Sequence, residues 1–377
     1  MKIVIDNKIP FIRGVFEPYA EVVYLPGKET TAEVVRDADA LVTRTRTICN
    51  ESLLKGSSVK MIATATIGYD HIDTGWCEAN GICWTNAPGC NSWSVKQYIA
   101  STLVTLAAQN DLQLDRMTLG VIGVGNVGSK VAEVAGILGM KVLLNDPPRA
   151  RREGRGAFVE LDELLAGSDI ITVHVPLEKE GPDATWHLFD ASRIASLRPD
   201  QILINSSRGP VVDNRALKSA LERRSNKAAV LDVWEGEPAI DTELMSMLAV
   251  STPHIAGYSA DGKANGTSMS VCAVARALGI EPLKDWSASG VPAPLQPLSF
   301  ELDCAGKTTQ QVLAEAILYT YRVEEDSRLL KADPSQFEKL RGDYQVRREP
   351  TAFSVKLANY TEEQKQKLAL MGFNMES

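Results

Sequence analysis

The stretch Thr118–Asp146, TLGVIGVGNVGSKVAEVAGILGMKVLLND, decides the fold. An apolar run ends at Ile122, and Gly123, Gly125 and Gly128 follow as G-x-G-x-x-G at the opening of a helix that begins with Asn126 and Val127. The first glycine suits a tight turn, the second a close approach of phosphate to backbone, and the third close packing of helix on strand. Free N–H groups at that helix start face an anion with the positive end of the helix dipole. The second apolar run closes on Asp146, at about the 20-residue distance expected of the carboxylate that binds the adenosine ribose. A carboxylate there repels a 2′-phosphate, so the spacing predicts NAD as cofactor. The run PPRARREGRGA carries Arg149, Arg151, Arg152 and Arg155, which would suit a 2′-phosphate instead, and Asp146 argues against that alternative.

On either side of this unit, short apolar runs alternate with helical segments, which predicts an α/β chain with parallel sheets. One series of strands covers Ile3–Asp6, Val22–Leu25, Ala40–Arg44, Met61–Thr66 and Ile82–Asn86. A long buried helix over Asn91–Ala108 follows, with Val95, Ile99, Leu103 and Leu106 at helical spacing. A second series runs through Leu119–Ile122, Lys141–Asn145, Ile170–Val175, Gln201–Asn205, Ala228–Val233 and Val250–Pro253. The helix predicted over Asp261–Leu278 is too short a tail to make a domain alone, so it is expected to return to the first unit. Ser287–Pro297, SASGVPAPLQP, has a linker composition. Beyond it, alternation near Leu298–Leu302 and Phe353–Leu357, with helices around Thr309–Leu330 and Pro334–Tyr344, predicts a small C-terminal α/β domain. The expected organisation is a discontinuous substrate domain (1–92 and 258–285), a doubly wound Rossmann domain (93–257) and a third domain (286–377).

Composition sets outer bounds. The 377 residues carry a formal net charge of −8, which argues against nucleic acid as the main partner. No apolar run approaches the roughly 20 residues that span a bilayer, and the start MKIVIDNKIPFIRG lacks the features of a signal peptide, so a cytoplasmic location is expected. The six cysteines form no C-x-x-C pair and fit no zinc spacing, so no metal is expected.

Three further segments carry chemistry: INSSRGPVVD (Ile204–Asp213), LDVWEGEP (Leu231–Pro238) and STPHIAGYS (Ser251–Ser259). Each follows an apolar strand, at the carboxyl end where open α/β sheets bind ligands. Arg208 can grip a carboxylate through two charge-assisted hydrogen bonds. His254 can exchange a proton near neutral pH, and Glu237 can orient it and stabilise its cation. Spacing alone does not bring the three together.

With the HVPL segment at His174–Leu177, these blocks resemble the D-isomer-specific 2-hydroxyacid dehydrogenase family over roughly Lys2 to Gly279. The resemblance implies that Arg208 anchors the substrate carboxylate and carbonyl, that His254 exchanges the C2 hydroxyl proton and that Glu237 pairs with it, with Glu235 a bystander. It further implies cofactor contacts from Val175, Ser206, Ser207, Arg208, Asp232 (to the nicotinamide carboxamide) and Gly257, and substrate contacts from Thr45, Thr66 and Tyr258. The segments ATATIGYDHID, NAPGCN, NDPPRA and HIAGYSADGKANGT, with FEKLRGDYQVRRE at Phe337–Glu349, are similar to one branch that carries an extra C-terminal domain through which it forms homodimers. That branch oxidises a small phosphorylated 2-hydroxy acid on the route to pyridoxal 5′-phosphate. Arg46 stands where the branch has an apolar residue, and Gln97 where a glutamate is usual. A phosphate needs cationic partners, and Arg44 and Arg46, at a strand's carboxyl end, are expected to supply them, with Lys263 a weaker candidate. His71 and His187 are read as packing residues. The alternatives are another branch, such as a 3-phosphoglycerate dehydrogenase or a hydroxypyruvate reductase, and a non-catalytic NAD-binding protein of the same fold.

Overall fold

The computed structural model describes residues 1–223 and 228–376. These form two compact units, one of 1–91 with 259–292 and one of 92–258 with 293–377.

In the first unit, β1 (Lys2–Asp6), β2 (Glu21–Leu25), β3 (Ala40–Thr43), β4 (Met61–Thr64) and β5 (Cys83–Thr85) make a parallel sheet of order β2-β1-β3-β4-β5. β1, β3 and β4 are almost wholly buried, which is why they read as unbroken apolar runs rather than alternating ones. The helix Ala260–Leu278 covers one face, where Val271, Val274 and Ala275 pack with Ile3, Ile5, Val42 and Ala63. It ends on Gly279 in the left-handed conformation, φ 72°.

The second unit holds a six-stranded parallel sheet of β6 (Thr118–Ile122), β7 (Lys141–Asn145), β8 (Ile170–Val173), β9 (Ile202–Asn205), β10 (Ala228–Leu231) and β11 (Val250–Ser251). Their order is β11-β10-β9-β8-β6-β7. The chain leaves β6 to one side for β7 and crosses back to the other for β8, so the glycine loop after β6 lies at the switch point where such sheets bind ligands. Among the described residues only β7 lies beyond the switch point, against two such strands in the order usual for a Rossmann sheet.

The helix Ser92–Asn110 runs through this unit, and its residues from Ser94 to Ala107 are buried throughout. A helix buried on every side needs cover on every side. Ile99, Leu103 and Leu106 share a core with Val131 and Val134 from Asn126–Ile137 and with Val312, Leu313, Ile317, Phe353 and Leu368 from the C-terminal segment. The polar residues of the helix point to the same partner. Ser94 Oγ donates to Glu349 (3.0 Å), Gln97 Nε2 to Thr320 Oγ1 (3.1 Å) and the Arg348 carbonyl (2.9 Å), and Ser101 Oγ to the Tyr321 carbonyl (3.0 Å). Where the sequence sets off 286–377 as a domain, the structure joins 293–377 to 92–258 in one unit.

The C-terminal segment carries β12 (Ser299–Asp303), β13 (Ser354–Ala358) and β14 (Asn374–Glu376), all parallel. The third strand and the helix Glu362–Met371 before it are additions to the sequence reading. The long helix expected over Thr309–Leu330 is broken into Thr309–Thr320 and Val323–Ala332. At the break Tyr321 is extended, and Ser101 Oγ accepts from the Val323 N–H at 3.0 Å. Thr308 and Thr361 close capping boxes with Gln311 and Gln364, the T-x-x-Q signature of a helix start.

Candidate active site

The glycine loop has the shape a pyrophosphate requires. Gly123 has φ 82°, and a Cβ on Gly128 would lie 1.9 Å from the Gly123 carbonyl oxygen, so helix and strand pack with no room for a side chain. Gly125 faces open space, and Asn126 and Val127 begin the helix behind it. The Ser206 hydroxyl is buried without a hydrogen-bond partner, a donor left for a ligand at the carboxyl end of β9. These residues fit a dinucleotide.

Asp146 closes the loop. Its Oδ2 accepts from the Val124 N–H (2.8 Å) and its Oδ1 from the Arg149 N–H (2.9 Å), which caps the helix Pro147–Glu153. The carboxylate is thereby fixed at the end of β7, where a ribose would sit. The nearby arginines are engaged with acids: Arg149 with Glu153 (2.7 Å), Arg152 with Glu153 (2.5 Å), Arg155 with Glu160 (2.8 Å) and Arg151 with Asp183. A 2′-phosphate would have to displace those partners.

Arg208, Glu237 and His254 all fall in the second unit, after β9, β10 and β11. His254 Nδ1 lies 2.8 Å from Glu237 Oε2, and Glu237 Oε1 accepts from the Trp234 N–H at 2.9 Å. Burial works to raise the Glu237 carboxyl. The His254 bond and charge, the Trp234 N–H and the Arg341 charge outweigh it and hold the group below its ordinary value. Glu237 therefore stays ionised and Nδ1 carries the proton it donates, which leaves Nε2 as the ring nitrogen able to exchange a proton. Arg208 Nη1 donates to the Ser207 carbonyl at 2.9 Å. Its turn is shaped by Asn205, whose Nδ2 donates to the Arg208 carbonyl (2.9 Å) while Oδ1 accepts from Ser207 N–H (3.0 Å) and Oγ (2.8 Å).

His254 has φ 57°, in the left-handed region that costs a residue other than glycine about 1–3 kcal/mol. What holds it there is Asp232. The Asp232 carbonyl accepts from the His254 N–H at 2.7 Å. Its carboxylate accepts from Ile255 N–H (2.8 Å), Ala256 N–H (2.9 Å) and Thr252 Oγ1 (2.6 Å), and Thr252 in turn accepts from the Tyr98 hydroxyl (2.8 Å). Asp232 is only 1% exposed. Asp232 thus anchors the loop that carries His254.

In the first unit, Arg44, Thr45 and Arg46 follow β3, and Thr66 follows the neighbouring β4. Thr45 and Arg46 are exposed and Arg44 is half-buried, its Nη1 within 3.5 Å of the Lys8 carbonyl. The Thr66 hydroxyl is bonded to the Gly68 carbonyl (2.9 Å) and to Thr64 (2.8 Å). Gly257 and Tyr258 follow the His254 loop in the second unit, with the Tyr258 ring in edge contact with Tyr344 (6.1 Å) and below the Arg341 guanidinium (5.6 Å). Val175 lies just past β8, where its side chain meets the face of Gly123.

The other histidines have local partners. His71 is buried near Thr43, and burial lowers its imidazole. His174 bonds Thr172 at 2.9 Å, and burial pushes it down to about 3. Glu235, a bystander by sequence, receives His187 Nε2 at 2.9 Å and the Asn214 N–H at 2.9 Å. Among the described residues no group of three His, Cys, Asp or Glu could hold a metal ion, and no helix is long and apolar enough to cross a membrane. Sequence reasoning missed Asn205, Thr252, Tyr98 and Arg341. The first is signalled only by its place before the S-S-R turn, and the others by nothing local.

Residues 95–256 match the family described as D-isomer specific 2-hydroxyacid dehydrogenase, NAD binding domain, and residues 295–372 match a domain of unknown function, DUF3410. The chain is 51% identical over 356 residues to an erythronate-4-phosphate dehydrogenase of Bacteroides fragilis (strain YCH46), covering 94% of this chain and 99% of that protein. It is 42% identical over 353 residues to one of Shigella flexneri serotype 5b (strain 8401), covering 93% and 92%. Among solved structures, D-lactate dehydrogenase from Aquifex aeolicus, complexed with NAD and lactic acid, is similar at a TM-score of 0.63 and 28% identity, covering 78% of this chain and 100% of that one.

Proposed function

The chain belongs to the D-isomer-specific 2-hydroxyacid dehydrogenases, among the erythronate-4-phosphate dehydrogenases, and from that membership we propose that it oxidises 4-phospho-D-erythronate to 2-oxo-3-hydroxy-4-phosphobutanoate, a step of pyridoxal 5′-phosphate synthesis. It is an NAD-dependent oxidoreductase. The observation that carries the chemistry is the hydrogen-bonded pair of His254 and Glu237.

Bound NAD supplies the acceptor for the hydride from C2. His254 Nε2 takes the C2 hydroxyl proton, and Glu237 stabilises the imidazolium through Nδ1. Such help is worth about 10²–10⁴-fold in rate. Arg208 holds the substrate carboxylate, whose two oxygens suit its fork of donors. Gly123, Gly125, Asn126, Val127 and Gly128 hold the pyrophosphate, Asp146 the ribose, and Val175, Ser206, Ser207, Arg208, Asp232 and Gly257 flank the cofactor. Thr45, Thr66 and Tyr258 contact the substrate, and Arg44 and Arg46 its phosphate.

The C-terminal match separates this reading from other branches. The lactate dehydrogenase relative is wholly matched within 78% of the chain, whereas relatives named for erythronate-4-phosphate match over 94%. We place the protein in the cytoplasm as a homodimer joined through its C-terminal segment. Leu295, Leu298, Leu329, Val346, Tyr360 and Leu370 are exposed apolar side chains within that segment. Initial rates with NAD on 4-phospho-D-erythronate, 3-phosphoglycerate, glycerate and D-lactate test the assignment. Phosphoerythronate is expected to lead in kcat/KM, and a lead for any other acid overturns it.

A further inference from the structure

Arg347 lies at the end of the charged run FEKLRGDYQVRRE, yet it is only 3% exposed. Its Nη2 donates to the carbonyls of Ile255 (3.2 Å) and Ala256 (2.6 Å), the two residues after His254. The N–H groups of the same two residues are held by the Asp232 carboxylate. The strand of backbone beside His254 is therefore gripped on both edges, by an anion at its donors and a cation at its acceptors.

We infer that Arg347 is a positioning residue of the active site: it fixes the backbone that sets the direction of the His254 imidazole, which makes the C-terminal segment part of the catalytic apparatus. The inference rests on the catalytic role proposed for His254.

Three observations favour positioning over plain packing. First, His254 sits in a left-handed conformation that relaxes unless the following residues are constrained. Second, the guanidinium is itself held in place. Its Cζ lies 4.4 Å from the Tyr321 ring centroid and 5.7 Å from that of Tyr344, and both tyrosine hydroxyls donate to Asp326 Oδ2, at 2.9 and 2.6 Å. Third, a buried charge is a costly way to gain stability, because well-packed apolar residues in place of buried ion pairs are often neutral or stabilising. An arginine offers a planar group that stacks on a ring while one nitrogen reaches two carbonyls. A lysine offers a point charge that cannot do both.

The test uses the full-length enzyme with NAD and 4-phospho-D-erythronate, comparing Arg347→Lys, Arg347→Met and His254→Ala with the parent. The measurements are kcat, KM, the dissociation constant for NAD, and the proton NMR signal of His254 Nδ1 in its bond to Glu237. The expected result is a fall in kcat of about 10- to 100-fold in the Arg347 variants, the cost of a small misplacement of a reacting group. NAD affinity should stay near the parent value while the Nδ1 signal shifts or broadens. If Arg347→Met does not fold, Arg347→Lys decides. A folded variant that keeps the parent kcat, or that loses activity with the Nδ1 signal unmoved, overturns the inference. Full activity in His254→Ala would instead overturn the catalytic reading, which separates the two failures.

Discussion

Gly209 approaches Trp234 so closely that a Cβ at position 209 would stand 2.0 Å from the Trp234 carbonyl oxygen. The turn that presents Arg208 is thus pressed against the backbone that leads to Glu237. Gly209→Ala must push the two apart. We expect it to lower unfolding stability by about 1–3 kcal/mol, the usual range for overpacking. It should also cut kcat/KM for the hydroxy acid by at least about tenfold through displacement of Arg208. Denaturant unfolding and initial rates check this, and parent-like values in both would contradict the close contact.

The pair of Glu237 and His254 gives a dependence on pH. The Glu237 carboxyl is held below its ordinary value of 4.5 in the folded protein. A depressed folded value means stabilisation that is complete above the unfolded value and lost as pH falls through the folded one. Glu237→Gln should therefore flatten the acid side of the stability profile below about pH 4.5. It should also lower kcat by about 10²-fold, because the imidazolium loses its counter-charge. Melts across the acid range read the first effect, and rates near neutral pH the second.

Cofactor choice is predicted from Asp146 and the engaged arginines beside it. A like-charge contact with a 2′-phosphate costs several kcal/mol, so NAD should exceed NADP in kcat/KM by at least about 10²-fold. Asp146→Ala should narrow that ratio. It should also cost about 1 kcal/mol of stability, since the same carboxylate caps Pro147–Glu153. An unchanged ratio in the variant would remove Asp146 from the recognition of the ribose.

The helix Ser92–Asn110 makes the C-terminal segment indispensable. Val312, Leu313, Ile317, Phe353 and Leu368 cover it, and each buried side chain of that kind contributes roughly 1.5–3 kcal/mol. A chain ended at residue 292 should therefore aggregate or unfold rather than bind NAD. A monomeric, cooperatively melting fragment with parent affinity for NAD would contradict this packing.

Much of this was legible from residue order alone. The β6 loop and Asp146 announce themselves because their chemistry is local: a turn, a close approach and a carboxylate at the next strand end. The pairing of His254 with Glu237 was legible only through resemblance, since spacing says nothing of which strand ends face each other. That Asp232 anchors the loop of His254 is hidden from the sequence for a physical reason. Its carboxylate meets backbone N–H groups more than twenty positions away, and a backbone donor leaves no mark in a sequence. Tyr321 breaks a helical pattern that reads as continuous, because the break is made by Ser101 from another element. β14 has three residues and no alternation long enough to see. Arg347 sits in a charged run of the sort that is ordinarily solvated, and only the tertiary structure buries it.

The proposed reaction turns on His254, oriented by Glu237, moving the proton of the hydroxy acid. Its most direct test is the turnover of His254→Ala on 4-phospho-D-erythronate, with the dissociation constant for NAD measured on the same preparation. A loss of at least about 10²-fold in kcat with NAD affinity retained is expected. Parent-like turnover in a variant that binds NAD normally would contradict it.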